Sequence, residues 1–333
     1  MVRSMSGARV LVTGASGFLG GHVVRDLRAH GFEVFAAGRD AAALAAVADG
    51  EHRVIGDLAS LASAELPVDA VIHCAALSTP WGPWKAFREA NIEGTAHVVE
   101  FARRNGVRRI VHVSSPSVYA APRDRLAIRE DDVDHGNRLN GYIRSKIAAE
   151  GLLQDARRAA AFPELVIVRP RGLIGAGDPS LVPRLLDVHR RVGIPLFDGG
   201  GNLIDVTAVE NVATALRLAL DAGDPAGGVY NISNDDPRPF RDLLAELLRL
   251  VGETPRMRPM SRRFAWVLAA VLEAVFRVVP GRPEPPLTRY TLSTIAYSQT
   301  LDLTRAKAEL GYRPLVSLDE ALARAAADQR AHA

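Results

Sequence analysis

Two apolar periods alternate along the chain. Short apolar runs of four or five residues occur at Val10 to Thr13, Glu33 to Ala37, His52 to Ile55, Asp69 to His73, Arg109 to Val113 and Leu165 to Val168. Between them lie longer stretches, beginning at Phe18, at about Lys85 to Asn105 and at about Gly141 to Ala160, with apolar residues every three or four positions. Buried strands alternating with helices of this length predict βαβ units, a parallel sheet and helices on both faces. The fold class expected is therefore α/β, a Rossmann-type doubly wound parallel sheet. Small or polar clusters close these strands: Gly38-Arg39-Asp40, Gly56-Asp57-Leu58, Cys74-Ala75-Ala76 and Ser114-Ser115-Pro116-Ser117. They fall at the C-terminal ends of the strands, where such sheets take ligands.

Beyond Arg169 the pattern loosens. Short strands at Asn202 to Val206 and Val229 to Ile232 are expected among helices near 208–221 and 239–251, and a last helix spans 317–331. The expected division is a dinucleotide-binding domain over 1–170, with sheet segments returning around 202–232. A smaller, C-terminal, mainly substrate-binding lobe covers 171–333. An apolar helix within Phe264 to Pro280 precedes a Pro-rich hinge at 280–286. With Glu273 and Arg277 inside it, that run is too short and interrupted to span a bilayer.

The stretch Arg9 to Gly21 changes the picture most. A strand ends at Thr13, glycines follow at 14, 17 and 20, and a helix opens at Phe18. Gly14 permits a tight turn, Gly17 a close approach of backbone to a pyrophosphate, and Gly20 close helix–strand packing. The anion would sit on free N–H groups at the helix start, so Ser16, Phe18 and Leu19 join the glycines as expected cofactor neighbours.

Charge and composition mostly exclude. At 333 residues, 48% hydrophobic and 24% charged, the chain is ordinary for a globular protein with a large core. Its net charge of +3, with arginine thinly spread, suits an anionic cofactor but not nucleic acid. The single cysteine, Cys74, excludes an internal disulfide, and the nine histidines form no metal-ligand spacing, so no metal is expected. No signal peptide is read at the N-terminus, and a cytoplasmic location is expected.

Tyr142 and Lys146 are four apart near the start of a helix and so share one face. An ammonium beside a phenol favours the phenolate, which can exchange a proton with a substrate oxygen while hydride moves at the adjacent carbon. Ser115 closes the fifth strand and could hydrogen-bond the same oxygen, with Ser117 second. A Ser there could equally be a turn cap.

These residues carry a resemblance. Thr-Gly-Ala-Ser-Gly-Phe-Leu-Gly at 13–20, Gly-Asp-Leu at 56–58, His-Cys-Ala-Ala at 73–76 and Asn-Ile-Glu-Gly-Thr at 91–95 occur in order. Ser-Ser-Pro-Ser-Val-Tyr at 114–119, Tyr-Ile-Arg-Ser-Lys at 142–146 and Arg-Pro-Arg-Gly-Leu-Ile-Gly at 169–175 follow them. The ordered set resembles the extended short-chain dehydrogenase/reductases. That resemblance implies Tyr142 as general acid/base, Lys146 on the nicotinamide ribose and Ser115 on the substrate oxygen. It implies Asn91 steadying the central helix, against the alternative that Asn91 caps a helix starting at Ile92. Asp57 and Leu58 would flank the adenine, with Ala75, Ala76 and Arg169 beside the cofactor.

Asp-Val-Thr-Ala-Val-Glu-Asn-Val-Ala at 205–213, Glu-Pro-Pro-Leu-Thr-Arg-Tyr at 284–290 and the Trp-Gly-Pro-Trp loop at 81–84 are similar to the 3β-hydroxysteroid dehydrogenase/isomerase group and to 2-alkyl-3-oxoalkanoate reductases. A ketone or secondary alcohol on a large apolar substrate is implied, touched by Ser78, Trp81, Trp84, Ser117, Gly172 and Trp266. Nucleotide-sugar epimerases, dehydratases and reductases are the alternative. They typically carry Asn where this chain has Gly172, and many carry a diphosphate-binding Arg where it has Ile204. A non-catalytic dinucleotide-sensing scaffold is a further alternative, disfavoured by the presence of Ser115, Tyr142 and Lys146 together.

Two expectations concern partners. Gly38 stands where NAD users usually place an acidic residue, Arg39 offers a guanidinium to a 2′-phosphate, and Asp40 reads as a helix cap, so NADP(H) is expected over NAD(H). Arg-Met-Arg-Pro-Met-Ser-Arg-Arg at 256–263 before the Trp266-bearing helix admits a peripheral membrane contact, against a helix lining an apolar pocket. A homodimer is also admitted.

Overall fold

A computed structural model describes residues 7–332. Seven strands form one sheet: β1 (Arg9–Thr13), β2 (Glu33–Gly38), β3 (Arg53–Ile55), β4 (Ala70–His73), β5 (Arg109–Val113), β6 (Glu164–Pro170) and β7 (Ala226–Ile232). Their order is β7-β6-β5-β4-β1-β2-β3 and every neighbouring pair is parallel. The chain reverses its winding between β1 and β4, which opens a crevice at the C-terminal edge.

Period-two alternation decides which side chain serves which face. Val10 and Val12 pack with Val23, Val24 and Leu27 of α1 (Phe18–Ala29) and with the helix Val209–Asp221. Leu11 points the other way, to a cluster containing Val98 and Phe101 of α2 (Gly94–Asn105) and Leu153 of α3 (Gly141–Arg158). The helix expected over 85–105 is interrupted by a π turn at Arg88–Glu93, with short helical turns (Trp84–Phe87) before it.

Beyond β6 the chain builds smaller pieces. The strand expected at 202–206 shortens to Leu203–Ile204 and does not return to the main sheet; only β7 does. Ile204 pairs instead with Gln299 and Arg238, and Asn202 turns its amide to the Ile295 carbonyl at 2.9 Å. A parallel pair joins Ile194–Phe197 to Met257–Met260.

Helix α4 (Arg262–Val278) has two unlike faces. Ala265, Ala269 and Glu273 are buried at every fourth position, the alanines against Phe197, Leu292 and Ala296. Phe264, Val267, Val271, Val275 and Val278 form an exposed stripe, from 48% (Val275) to 82% (Val278) accessible. The Glu273 carboxylate accepts from the Arg289 backbone N–H (2.7 Å) and guanidinium (2.8 Å), which ties α4 to α5 (Arg289–Ile295). Among the described residues no helix is long and apolar enough to cross a membrane.

Candidate active site

The glycine turn takes its shape from close backbone approach. Gly14 has φ +69°, and a Cβ there would stand 2.8 Å from the Ala75 nitrogen. A Cβ on Gly20 would stand 2.1 Å from the Gly14 carbonyl oxygen, so α1 packs too tightly for any side chain. Helix α1 begins at Phe18 with no side chain capping it, which leaves its first N–H groups free. That is a cradle suited to the pyrophosphate of a dinucleotide. Ser16 lies beside Gly38, and Leu19 packs against the core beneath the turn.

At the end of β3, Asp57 caps the turn Leu58–Leu61 by accepting from the Ser60 N–H at 2.8 Å, and that bond holds its carboxyl below the usual range. Leu58 packs closely on Gly94 of α2. At the end of β4, His73 joins the Thr13 hydroxyl (2.8 Å) to the Thr95 hydroxyl (3.1 Å). Burial, aided by the Lys146 charge, lowers its pKa to about 3, so His73 is neutral. Burial likewise pushes the Cys74 thiol up to about 12, which leaves it no nucleophilic character at neutral pH.

Helix α3 delivers the two residues singled out by spacing. Asn140 caps it through the Ile143 N–H (2.8 Å) and donates to the Pro80 carbonyl (3.2 Å), so the loop after β4 is held to the helix start. Tyr142, Ser145, Lys146, Ala149, Glu150 and Leu153 form its buried inner face. Lys146 Nζ donates to the Val113 carbonyl at 2.9 Å. Ser78 Oγ donates to the Tyr142 hydroxyl at 3.4 Å.

The three serines after β5 separate by their partners. Ser114 is buried and hydrogen-bonded to Glu150. Ser117 is buried, and its hydroxyl acts on that of Tyr290 without strict hydrogen-bond geometry. Ser115 is half-buried; its oxygen accepts from the Ser117 N–H (3.1 Å) as a cap, while its O–H has no acceptor among the described residues.

Asn91 sits in the π turn, and its side chain is not an N-cap. It accepts from the Leu77 N–H (2.7 Å) and donates to the Leu77 carbonyl (3.1 Å) and to Ser145 Oγ (2.8 Å). The extra residue of the π turn aims it inward, a distortion common at functional sites.

Three of the expected contact residues have protein partners of their own. Arg169 does not aim its side chain at a cofactor: it is buried, paired with both Glu150 oxygens (2.9 and 2.5 Å), and bonded to the Tyr119 hydroxyl (2.5 Å) and Glu130 carbonyl (2.8 Å). Trp84 has the Arg144 guanidinium 3.8 Å over its ring. Trp266 packs with the small core beneath α4. Trp81, three residues beyond Ser78, donates its indole N–H to the Arg282 carbonyl at 3.1 Å. Gly172 follows β6, where a Cβ would stand 3.3 Å from Val206.

Two residues near Tyr142 were not anticipated. The Tyr290 ring lies edge-on to it at 6.5 Å, opposite Phe87 at 6.4 Å, and burial raises the Tyr290 hydroxyl above its ordinary range. Arg171 lies close enough for its charge to act on Tyr290. Among the described residues no cluster of His, Cys, Asp and Glu is arranged to hold a metal.

A model of the NAD dependent epimerase/dehydratase family matches residues 10–233. The chain belongs to that family. It is 34% identical to a 2-alkyl-3-oxoalkanoate reductase of Stenotrophomonas maltophilia, over 97% of this chain and 100% of that protein. It is 32% identical to a mouse decarboxylating sterol-4-alpha-carboxylate 3-dehydrogenase, over 94% of this chain and 88% of that one. Among solved structures, MoeE5 in complex with UDP-glucose and NAD superimposes with a TM-score of 0.75 at 25% identity, covering 97% and 99% of the two chains. The protein is a nicotinamide-dependent oxidoreductase of the extended short-chain dehydrogenase/reductase type.

Proposed function

We propose that the protein interconverts a ketone and a secondary alcohol on a large apolar β-keto or β-hydroxy compound, with NADP(H) preferred. The observation that carries this reading is the Tyr142–Lys146 pair on the inner face of α3, with Ser78 at the tyrosine hydroxyl. Tyr142 gives its proton to the carbonyl oxygen as that oxygen takes the electron pair of the C=O bond, and recovers it in the reverse direction. The unused O–H of Ser115 donates to the same oxygen. Lys146 has two N–H bonds left beyond Val113, and they serve the ribose hydroxyls. When bound, the nicotinamide supplies or accepts the hydride.

The aromatic surround of Tyr142 supports an apolar substrate, with Phe87 and Tyr290 beside it. Both named relatives support the same chemistry, since their names pair an apolar body with an oxygen one carbon away from the carboxylate-bearing carbon. The nucleotide-sugar alternative has less support, because Gly172 and Ile204 offer neither the amide nor the guanidinium such ligands use. Tyr142→Phe should bind dinucleotide normally and lose about a hundredfold or more in turnover. Lys146→Ala should lose both affinity and rate. Near-parental turnover in the first variant, measured by dinucleotide absorbance, would exclude the assignment.

The cofactor preference rests on three neighbours. Gly38 offers no carboxylate to the ribose, and a Cβ there would lie 2.6 Å from Ser16 Oγ, so a larger residue would have to displace that hydroxyl. Asp40 is occupied as a cap, accepting from the Ala42 (2.9 Å) and Ala43 (3.0 Å) N–H groups. Arg39 is exposed and makes no ion pair among the described residues, so its fork is free for a 2′-phosphate. Arg39→Ala should raise the NADPH KM about tenfold or more, as befits loss of a charge-assisted bond, and leave NADH use unchanged. A parent enzyme that uses NADH as well as NADPH contradicts this preference.

The exposed stripe of α4 supports contact with an anionic bilayer surface. Arg256, Arg258, Arg263 and Arg277 are exposed, Arg277 within 4.0 Å of Glu273, whereas Arg262 is engaged by Asp198 at 2.9 Å and Asp124 at 3.4 Å. At low salt the protein should pellet with phosphatidylglycerol vesicles. Val267→Asp with Val271→Asp should stop this without lowering Tm. Failure of the parent to pellet would remove the proposal, and a shift to a stable dimer abolished by the same pair would assign the stripe to a second copy.

A further inference from the structure

Arg171 directly follows β6 at the C-terminal edge of the sheet, and its backbone is fixed on both sides. Its N–H donates to the Ile232 carbonyl at 2.9 Å, and its carbonyl accepts from the Thr207 hydroxyl. The residue is only 8% exposed. Yet among the described residues it forms no ion pair and a single hydrogen bond, a long one of 3.4 Å from Nη2 to the Thr294 carbonyl. Arg169, two residues earlier, has four. A guanidinium taken out of water ordinarily has its five donors met, because an uncompensated buried charge is costly.

The neighbours do not supply the missing anion. Asp205 acts on Arg171 from beyond ion-pair distance, and its carboxylate accepts from the Leu301 N–H at 2.7 Å. Arg184, whose charge also acts on Tyr290, is already paired with Glu284 at 2.5 Å. The Thr294 carbonyl that Arg171 reaches is on α5, one turn beyond Tyr290, and the Tyr290 ring lies edge-on to Tyr142 at 6.5 Å. Arg171 itself stands at the end of β6, three strands from β1 and its glycine turn.

We propose that Arg171 receives a carboxylate of the substrate, so that the protein takes the free β-keto or β-hydroxy acid and discriminates against its ester. This rests on the ketone–alcohol reading of the Tyr142 site. The planar guanidinium matches a carboxylate with two parallel bonds, and its largely buried position strengthens them. Burial also lowers the proton affinity of Arg171, as expected of a cation that lacks its counter-ion. With the carboxylate held there and the oxygen at Tyr142, the apolar body of the substrate is left to the aromatic surround.

The test compares kcat/KM for oxidation of a long-chain 2-alkyl-3-hydroxyalkanoic acid and its methyl ester with NADP+. The parent should prefer the acid at least tenfold. Arg171→Met should lose about tenfold to a hundredfold on the acid and little on the ester, and Arg171→Lys should recover part of the loss. Equal use of acid and ester by the parent would overturn the proposal even if Arg171→Met does not fold. So would an equal loss on both substrates, which marks a structural role. Should the parent oxidise neither compound while still binding dinucleotide, the ketone–alcohol reading fails, and binding decides Arg171 separately. In the dinucleotide complex, tryptophan quenching by hexadecanoic acid but not by its methyl ester, lost in Arg171→Met, would keep the carboxylate role. Tight binding of inorganic pyrophosphate through Arg171, without acid selectivity, would replace it with a phosphate site.

Discussion

Helix α3 presents Tyr142 and Lys146 to the sheet edge only while its inner face is held in register, and polar contacts on successive turns hold it. Ser145 receives the Asn91 amide at 2.8 Å, Lys146 reaches the Val113 carbonyl at 2.9 Å, and Glu150 carries both arms of Arg169. Apolar packing alone tolerates sliding and rotation, but hydrogen bonds have direction. Each contact comes from a different element: the π turn, the end of β5 and the end of β6. The Arg169–Glu150 pair is buried on both sides, so removing either member would strand a charge and cost about 3–5 kcal/mol. The helix that carries Tyr142 and Lys146 is therefore fixed by groups from three other elements.

The buried Lys146 ammonium acts on its neighbours at the ends of β4 and β5, beside the larger effect of burial. Lys146 stands near His73, His112 and Cys74, and burial keeps all three uncharged at neutral pH. Both imidazoles are driven further that way by the ammonium itself. None of these three groups adds a charge beside Lys146 at neutral pH.

Local patterns made the sheet legible. Apolar runs bounded by glycine or polar residues become parallel strands because both faces of this sheet are covered, as the burial of β1, β4 and β5 records. The glycine turn was legible for a related reason: each glycine answers a contact within the turn or with the adjacent β4 end. The four-residue spacing of Tyr142 and Lys146 encodes a shared face and nothing more. The role of Arg169 was not legible, since its partner Glu150 lies on a different element and only the fold brings them together. Tyr290 and Arg171 escaped for the same reason. Tyr290 reaches Tyr142 because Glu273 of α4 gathers the start of α5, a contact without local periodicity. The apolar run of α4 was visible, but which of its faces is covered depends on Phe197 and Leu292 from distant segments.

Members of one fold can move hydride to a substrate and keep it there, or return it to the same carbon from the other side. An enzyme that interconverts a ketone and an alcohol must do the first. Deuterium transfer tests it most directly: the enzyme is supplied with dinucleotide deuterated at the reactive C4 position and a long-chain 2-alkyl-3-oxo acid, and the product is read by mass spectrometry. One deuterium on the new carbinol carbon, with a stoichiometric amount of oxidised dinucleotide, is the predicted result. Conversion of a UDP-sugar with no net dinucleotide oxidation, and no deuterium in any alcohol product, would contradict it.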